Sequence, residues 1–90
     1  MFMNIAFYID EMNLRGVANS TYKYAHYNEK ILKNKSLIFY NKKNHRNIKT
    51  IIRKYSKRFK VIGVENFKKI NKHKEKLKLD FVYAQKGGER

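Results

Sequence analysis

The sequence predicts an α/β fold, a parallel sheet of four strands in the order 3-2-1-4 with three helices. Three observations carry this. Met3 to Ile9 is almost free of polar residues, as suits a strand buried on both faces of a parallel sheet. Short apolar runs then alternate with segments of helical periodicity along the whole chain. No hairpin signal interrupts the alternation, so right-handed crossovers are the natural connections.

The first strand breaks into the polar loop Asp10-Glu-Met-Asn-Leu-Arg-Gly16. A first helix follows, with Asn19 or Ser20 as N-cap and Ala18, Tyr22, Ala25 and Leu32 on one face; it runs to about Lys33. Asn34-Lys35 stops it, and Ser36 to Tyr40 is a second strand ending in the polar cluster Asn41 to Asn47. Ile48, Ile51, Ile52 and Tyr55 recur at i, i+3, i+4, i+7, while Lys49, Arg53, Lys54 and Lys57 face away, which predicts an amphipathic second helix. Phe59 to Val64 makes a third strand. Asn66 caps a third helix whose stripe is Phe67, Ile70 and Leu77, diluted by Asn71 and Lys74, and Leu79 to Ala84 makes the fourth strand.

In the Rossmann-like order 3-2-1-4, the first two helices cover one face and the third crosses to the other. The winding direction reverses between strands one and four. A crevice is expected there, walled by Asp10 to Gly16 and by Gln85-Lys-Gly-Gly-Glu-Arg90. Ile5, Phe7 and Ile9 belong to the expected core, joined from the second helix by Ile51 and Ile52 or by Ile48. The fourth strand is left as a bare edge prone to association. Residues 1–90 are therefore expected to form a single but incomplete domain.

Composition bounds the chemistry. Ninety residues with 42% apolar content support one core. With no cysteine there is no disulfide or thiolate metal site, and His26, His45 and His73 are scattered, so no metal centre is expected. No apolar run approaches the roughly 20 residues that span a bilayer, and the Met1 end lacks a signal-peptide pattern. The expectation is a cytoplasmic protein. The 22 Lys+Arg against 7 Asp+Glu give a net charge of +15 and a pI near 10.1. Lys, Asn, Ile, Tyr and Phe make up more than half of the chain; their codons are rich in A and T, so coding bias alone raises lysine on every solvated face. The charge nonetheless attracts polyanions or anionic membranes in a salt-dependent way. Lys42, Lys43, Arg46, Lys49, Arg53, Lys54, Lys57 and Arg58 form a band along the second helix and its entry, read as a solvated face. It lacks any nucleic-acid reading motif, and nucleic acid is the disfavoured partner.

The site candidates are Asp10, Glu11, Asn13, Arg15 and Gly16 after the first strand, where open α/β sheets deliver functional groups, and Lys86, Gly87, Gly88 and Glu89 near the C-terminus. Asp10 and Glu11 can act as acid, base or ligand, and Arg15, Gly16 and the amides opening the helix can hold an anion. The alternative is that Asp10 ends the strand and pairs with Arg15. Paired glycines let backbone approach a ligand beside Lys86, unless this is an unstructured end. One glycine, and Asn41 rather than an acid after the second strand, exclude a dinucleotide fingerprint. Asn28 and Glu29 share the apolar arc of the first helix and are assigned a structural hydrogen-bonding role. No catalytic set is identified.

Ile5 to Gly16, Tyr22-Lys-Tyr-Ala-His-Tyr-Asn-Glu-Lys-Ile-Leu32, Lys35 to Asn41, Lys57 to Gly63 and Asp80-Phe-Val-Tyr-Ala-Gln-Lys-Gly-Gly-Glu89 together resemble the start of a glycosyltransferase of the two-Rossmann-domain (GT-B) type, similar to family-four sugar transferases. The most specific pieces are Asp10 to Gly16 and Tyr27-Asn-Glu29. The resemblance implies an N-terminal domain that shapes the acceptor site. Asp10 to Gly16 and Lys86 to Glu89 would line an interdomain cleft, and the nucleotide-sugar donor would bind a C-terminal domain that carries a pair of glutamates. This chain departs from the pattern in having a single glycine in the loop and no donor domain, so activity from it alone is not expected. No cofactor is implied beyond the nucleotide-sugar of the full enzyme. Two rivals stand beside this reading: a metal-dependent nuclease of the acidic-cluster kind, suggested by Tyr8-Ile-Asp-Glu-Met-Asn13, and a basic module binding nucleic acid or an anionic membrane.

Overall fold

The computed structural model describes residues 3–13 and 16–85. Its strands are β1 (Asn4–Ile9), β2 (Lys35–Asn41), β3 (Lys60–Val64) and β4 (Phe81–Gln85), and its helices are α1 (Gly16–Lys30), α2 (Lys49–Arg58) and the single turn α3 (Asn71–Lys74), which a 3-10 turn, Phe67–Ile70, introduces. All pairings are parallel and the order is β3-β2-β1-β4. The sheet is the expected Rossmann-like one.

The strand period of two sorts the core into the two expected layers. Ile5, Phe7, Ile9 and Ile38 point to one face and pack with Ala18 and Ala25 of α1 and with Tyr55 and Phe59 at the end of α2. Ala6, Tyr8, Leu37 and Phe39 point to the other, beside Val64 of β3, and Ile70 packs with them. β1 is buried on both faces because both layers pack over it, while β2 and β4 pair with its two edges.

The element boundaries differ from expectation for local reasons. α1 begins at Gly16, so Asn19 and Ser20 lie inside the helix rather than capping it; Ala18 reaches the core only as part of that earlier turn. The helix ends at Lys30, and the chain reverses at Lys33, whose φ of 62° is left-handed, with the Asn34 N–H donating to the Asn28 carbonyl at 3.0 Å. Leu32 is thereby turned out to solvent instead of joining the apolar face. In α2 the buried anchor is Tyr55, whose hydroxyl donates to the Ala18 carbonyl, while Ile51 and Ile52 are half-buried and Ile48 stands just before the helix. Tyr22 packs edge-on against both Tyr55 and Phe59, at centroid separations of 5.0 and 5.3 Å.

The third helix is the largest departure. Only Ile70 of its stripe is fully buried, Phe67 is exposed and Leu77 half-buried, and a run so rich in lysine and asparagine sustains one 3-10 turn and one α turn. Lys78, with φ 52°, then bends the chain into β4, which starts at Phe81 rather than Leu79. A clamp that the pattern of apolar residues does not announce aligns this strand. Asn4 and Asp80 exchange bonds, the Asn4 N–H donating to Asp80 Oδ2 and the Asp80 N–H to the Asn4 carbonyl, both at 2.8 Å. The Asn4 side chain caps the Leu77 and Lys78 carbonyls at 3.1 Å.

Asn28 and Glu29 have the structural role expected of them. Asn28 Nδ2 donates to Ser36 Oγ at 2.9 Å, the Ser36 N–H donates to Glu29 Oε2 at 2.8 Å, and Arg58 pairs with Glu29 Oε1, so one network ties the end of α1 to the start of β2 and the end of α2.

Candidate functional site

The C-terminal ends of the parallel strands define the side of the sheet on which a site can form, and β1 and β4 end side by side, with Ile9 opposite Gln85. Asp10 leaves β1 at that point. Its carboxylate is held by three donors: the Tyr8 hydroxyl at 3.1 Å, Asn41 Nδ2 at 3.2 Å and Asn44 Nδ2 at 3.5 Å; Asn44 Nδ2 also donates to the Asp10 carbonyl at 3.0 Å. Burial, then the hydrogen bond to Asp10 and the negative charge it carries, push the Tyr8 hydroxyl up to about 12, so Tyr8 is a neutral donor across the ordinary pH range.

The next residues are fastened to the β2–α2 connection. The Met12 N–H donates to Asn47 Oδ1 at 2.8 Å, the Ile48 N–H donates to the Met12 carbonyl at 2.6 Å, and Asn47 Nδ2 reaches the Asn41 carbonyl at 2.7 Å. Met12 is completely buried, which sinks the loop's middle into the core. Glu11 and Asn13 flank it and meet each other, Asn13 Nδ2 donating to Glu11 Oε1 at 2.9 Å, while Arg46 stands 3.7 Å from Glu11 Oε2. Asn13 also lines a small cavity of about 130 Å³ between α1 and α2, with Tyr22, Ile51 and Lys54.

Of the residues singled out in the sequence, Asp10, Glu11 and Asn13 are thus brought together at the sheet edge, and Gly16 opens α1 close behind them. Arg15 lies outside the described residues, as do Lys86, Gly87, Gly88 and Glu89. The roles separate. Asp10 organises the loops, the buried Asn13 holds the Glu11 carboxylate, and the partly exposed Glu11 and the exposed Arg46 present the polar atoms that a ligand can reach. Arg46, Asn41, Asn44 and Asn47 are the members that sequence reasoning read only as a polar connection or a basic band. The available signal was Asn41, Asn44 and Asn47 recurring in the loop next to β1 in a 3-2-1-4 sheet.

A carboxylate fixed by a carboxamide and paired at 3.7 Å with an exposed guanidinium offers an acceptor and donors at close spacing, which suits a neutral polyhydroxylated ligand. Among the described residues, no three of His, Asp and Glu gather into a group that could hold a metal ion. No protein-family model, curated protein or solved structure matches the chain.

Proposed function

We propose that this chain is the acceptor-side part of a two-Rossmann-domain glycosyltransferase, which moves a sugar from a nucleotide-sugar to a hydroxyl acceptor. The observation that carries the reading is the cluster Glu11, Asn13 and Arg46 at the C-terminal edge of β1, beside the reversal of strand order between β1 and β4. The resemblance of Asp10 to Gly16 and Tyr27 to Glu29 to family-four sugar transferases supports it from the sequence.

The chemistry follows from what such an edge offers. Glu11 accepts from, and Arg46 donates to, the hydroxyls of an acceptor, while the buried Asn13 fixes the Glu11 carboxylate by donating to Oε1. Transfer needs donor and acceptor at reacting distance, and the second domain holds the donor. Hence these residues bind and orient, and turnover requires the partner domain. The nuclease reading loses support because Asp10, its principal ligand, is engaged by the Asn41 and Asn44 amides.

Calorimetric titration with a panel of neutral mono- and disaccharides tests the proposal. At least one sugar should bind saturably, Glu11→Gln and Asn13→Ala should each weaken it about fivefold or more, and magnesium should give no saturable heat. Binding of Mg²⁺ that disappears in Asp10→Asn, with no sugar bound, would overturn it in favour of the nuclease.

A further inference from the structure

The layer formed by α1 and α2 is divided on its outer side into apolar and basic ground. Tyr24, Tyr27, Ile31 and Leu32 are 58%, 55%, 59% and 55% exposed. The first three fall at i, i+3 and i+7 and form one ridge, which Leu32 continues past the helix end. On the β4 side of this ridge is an apolar groove of about 360 Å³, floored by Ile5 and Phe7 and closed by Tyr83, which stacks on Phe7 at 5.7 Å. The register places the exposed Phe81 on the same face of the sheet.

On the α2 side is a wider groove of about 660 Å³, lined by Lys23, His26, Lys30, Lys54 and Arg58. The carboxylate that pairs with Arg58, Glu29, is also taken by the Ser36 N–H. Lys23 and Lys30 therefore flank the apolar ridge along its length.

We infer that this face docks on an anionic lipid bilayer, with Tyr24, Tyr27, Ile31 and Leu32 entering the headgroup layer and Lys23 and Lys30 meeting the lipid phosphates. Tyrosine rings have an apolar body and a polar tip that match this boundary, isoleucine and leucine gain by leaving water, and lysine stems lie along apolar ground while their ammonium groups reach phosphate. The net charge of +15 draws the chain to a negative surface and opposes pairing of this face with a second copy. A nucleic acid would engage the lysines and stack on tyrosine but has no use for Ile31 and Leu32. Among the described residues, no helix is long and apolar enough to cross a membrane, so the contact is one of lying on the surface. The inference is independent of sugar transfer.

Vesicle co-sedimentation in about 0.15 M NaCl tests it, using phosphatidylcholine vesicles with and without roughly one-third phosphatidylglycerol. The chain should sediment with the anionic vesicles only. Both Ile31→Ser/Leu32→Ser and Lys23→Glu/Lys30→Glu should reduce binding about tenfold. Lys68→Glu/Lys72→Glu carries the same change of net charge on the opposite face and should bind within about twofold of the parent. Equal loss in both charge variants, with Ile31→Ser/Leu32→Ser unaffected, would reduce the effect to general polyanion attraction and overturn the inference. So would an RNA oligonucleotide bound at the same salt in place of vesicles, or a dimer in vesicle-free solution that Ile31→Ser/Leu32→Ser dissociates.

Discussion

Asp10 and the asparagines around it decide the character of the sheet edge. A carboxylate whose oxygens already accept from Tyr8, Asn41 and Asn44 contributes order more than reactivity. Asn47 does the same for the backbone, and removing its acceptor leaves the Met12 N–H unsatisfied in a buried setting. Asn47→Ala should cost about 1 to 2 kcal/mol in urea unfolding and speed amide exchange at Met12 and Ile48. Tyrosine ionisation gives a second prediction at this scale. Burial raises the hydroxyls of Tyr8 and Tyr55 above their ordinary value of 10.0, so each ionises more readily in the unfolded chain. Their stabilisation is complete below pH 10; that of Tyr8 is lost as pH rises through about 12 and that of Tyr55 higher still, so stability should fall steadily above pH 10. Tyr8→Phe should flatten the fall, which denaturant melts across the alkaline range will record.

The strands and their order were legible in the sequence because apolar runs and the absence of hairpin signals report burial and connection directly. What periodicity does not report is a bond between a side chain and a distant backbone group. The Asn4–Asp80 clamp, the Asn47–Met12 bond and the emergence of Tyr55 rather than Ile51 as the anchor of α2 all belong to that class. The third helix is present but shortened to a 3-10 turn and one α turn, for the reason visible in its composition: one buried side chain, Ile70, cannot hold several turns of lysine-rich chain. The site divides similarly. Strand-end logic finds Asp10, Glu11 and Asn13, but Arg46 is one basic residue among many until the β2–α2 loop folds over the end of β1. Because Ile51 is half-buried, Ile51→Ala should cost only about 1 to 2 kcal/mol, less than removal of a fully buried side chain. Lys33→Gly should stabilise by up to about 1 kcal/mol, since φ of 62° costs a residue with a Cβ more than it costs glycine. Paired thermal melts distinguish both effects from the parent.

For the molecule as a whole, the parallel sheet separates two surfaces by physical necessity. Strand C-termini gather polar loops at one edge, where Glu11, Asn13 and Arg46 meet, while the outer side of α1 and α2 carries the apolar ridge and lysines. β4 adds a liability, because Phe81 to Gln85 contains no charged residue to discourage edge pairing, with Phe81 and Tyr83 exposed. The charge of +15 resists self-association, and salt screens it. Sedimentation velocity should therefore show monomer at low salt and growing association as salt rises, and Tyr83→Lys should suppress the growth. The claim on which the functional account rests is that the β1 edge is where a hydroxyl-rich ligand binds. Amide-shift mapping of the nitrogen-15-labelled chain during sugar titration tests it most directly. The account predicts saturable shifts at Glu11, Asn13 and Arg46 whose midpoint moves to about fivefold or more higher sugar in Glu11→Gln; shifts confined to the outer side of α1, or saturable magnesium shifts centred on Asp10, would contradict it.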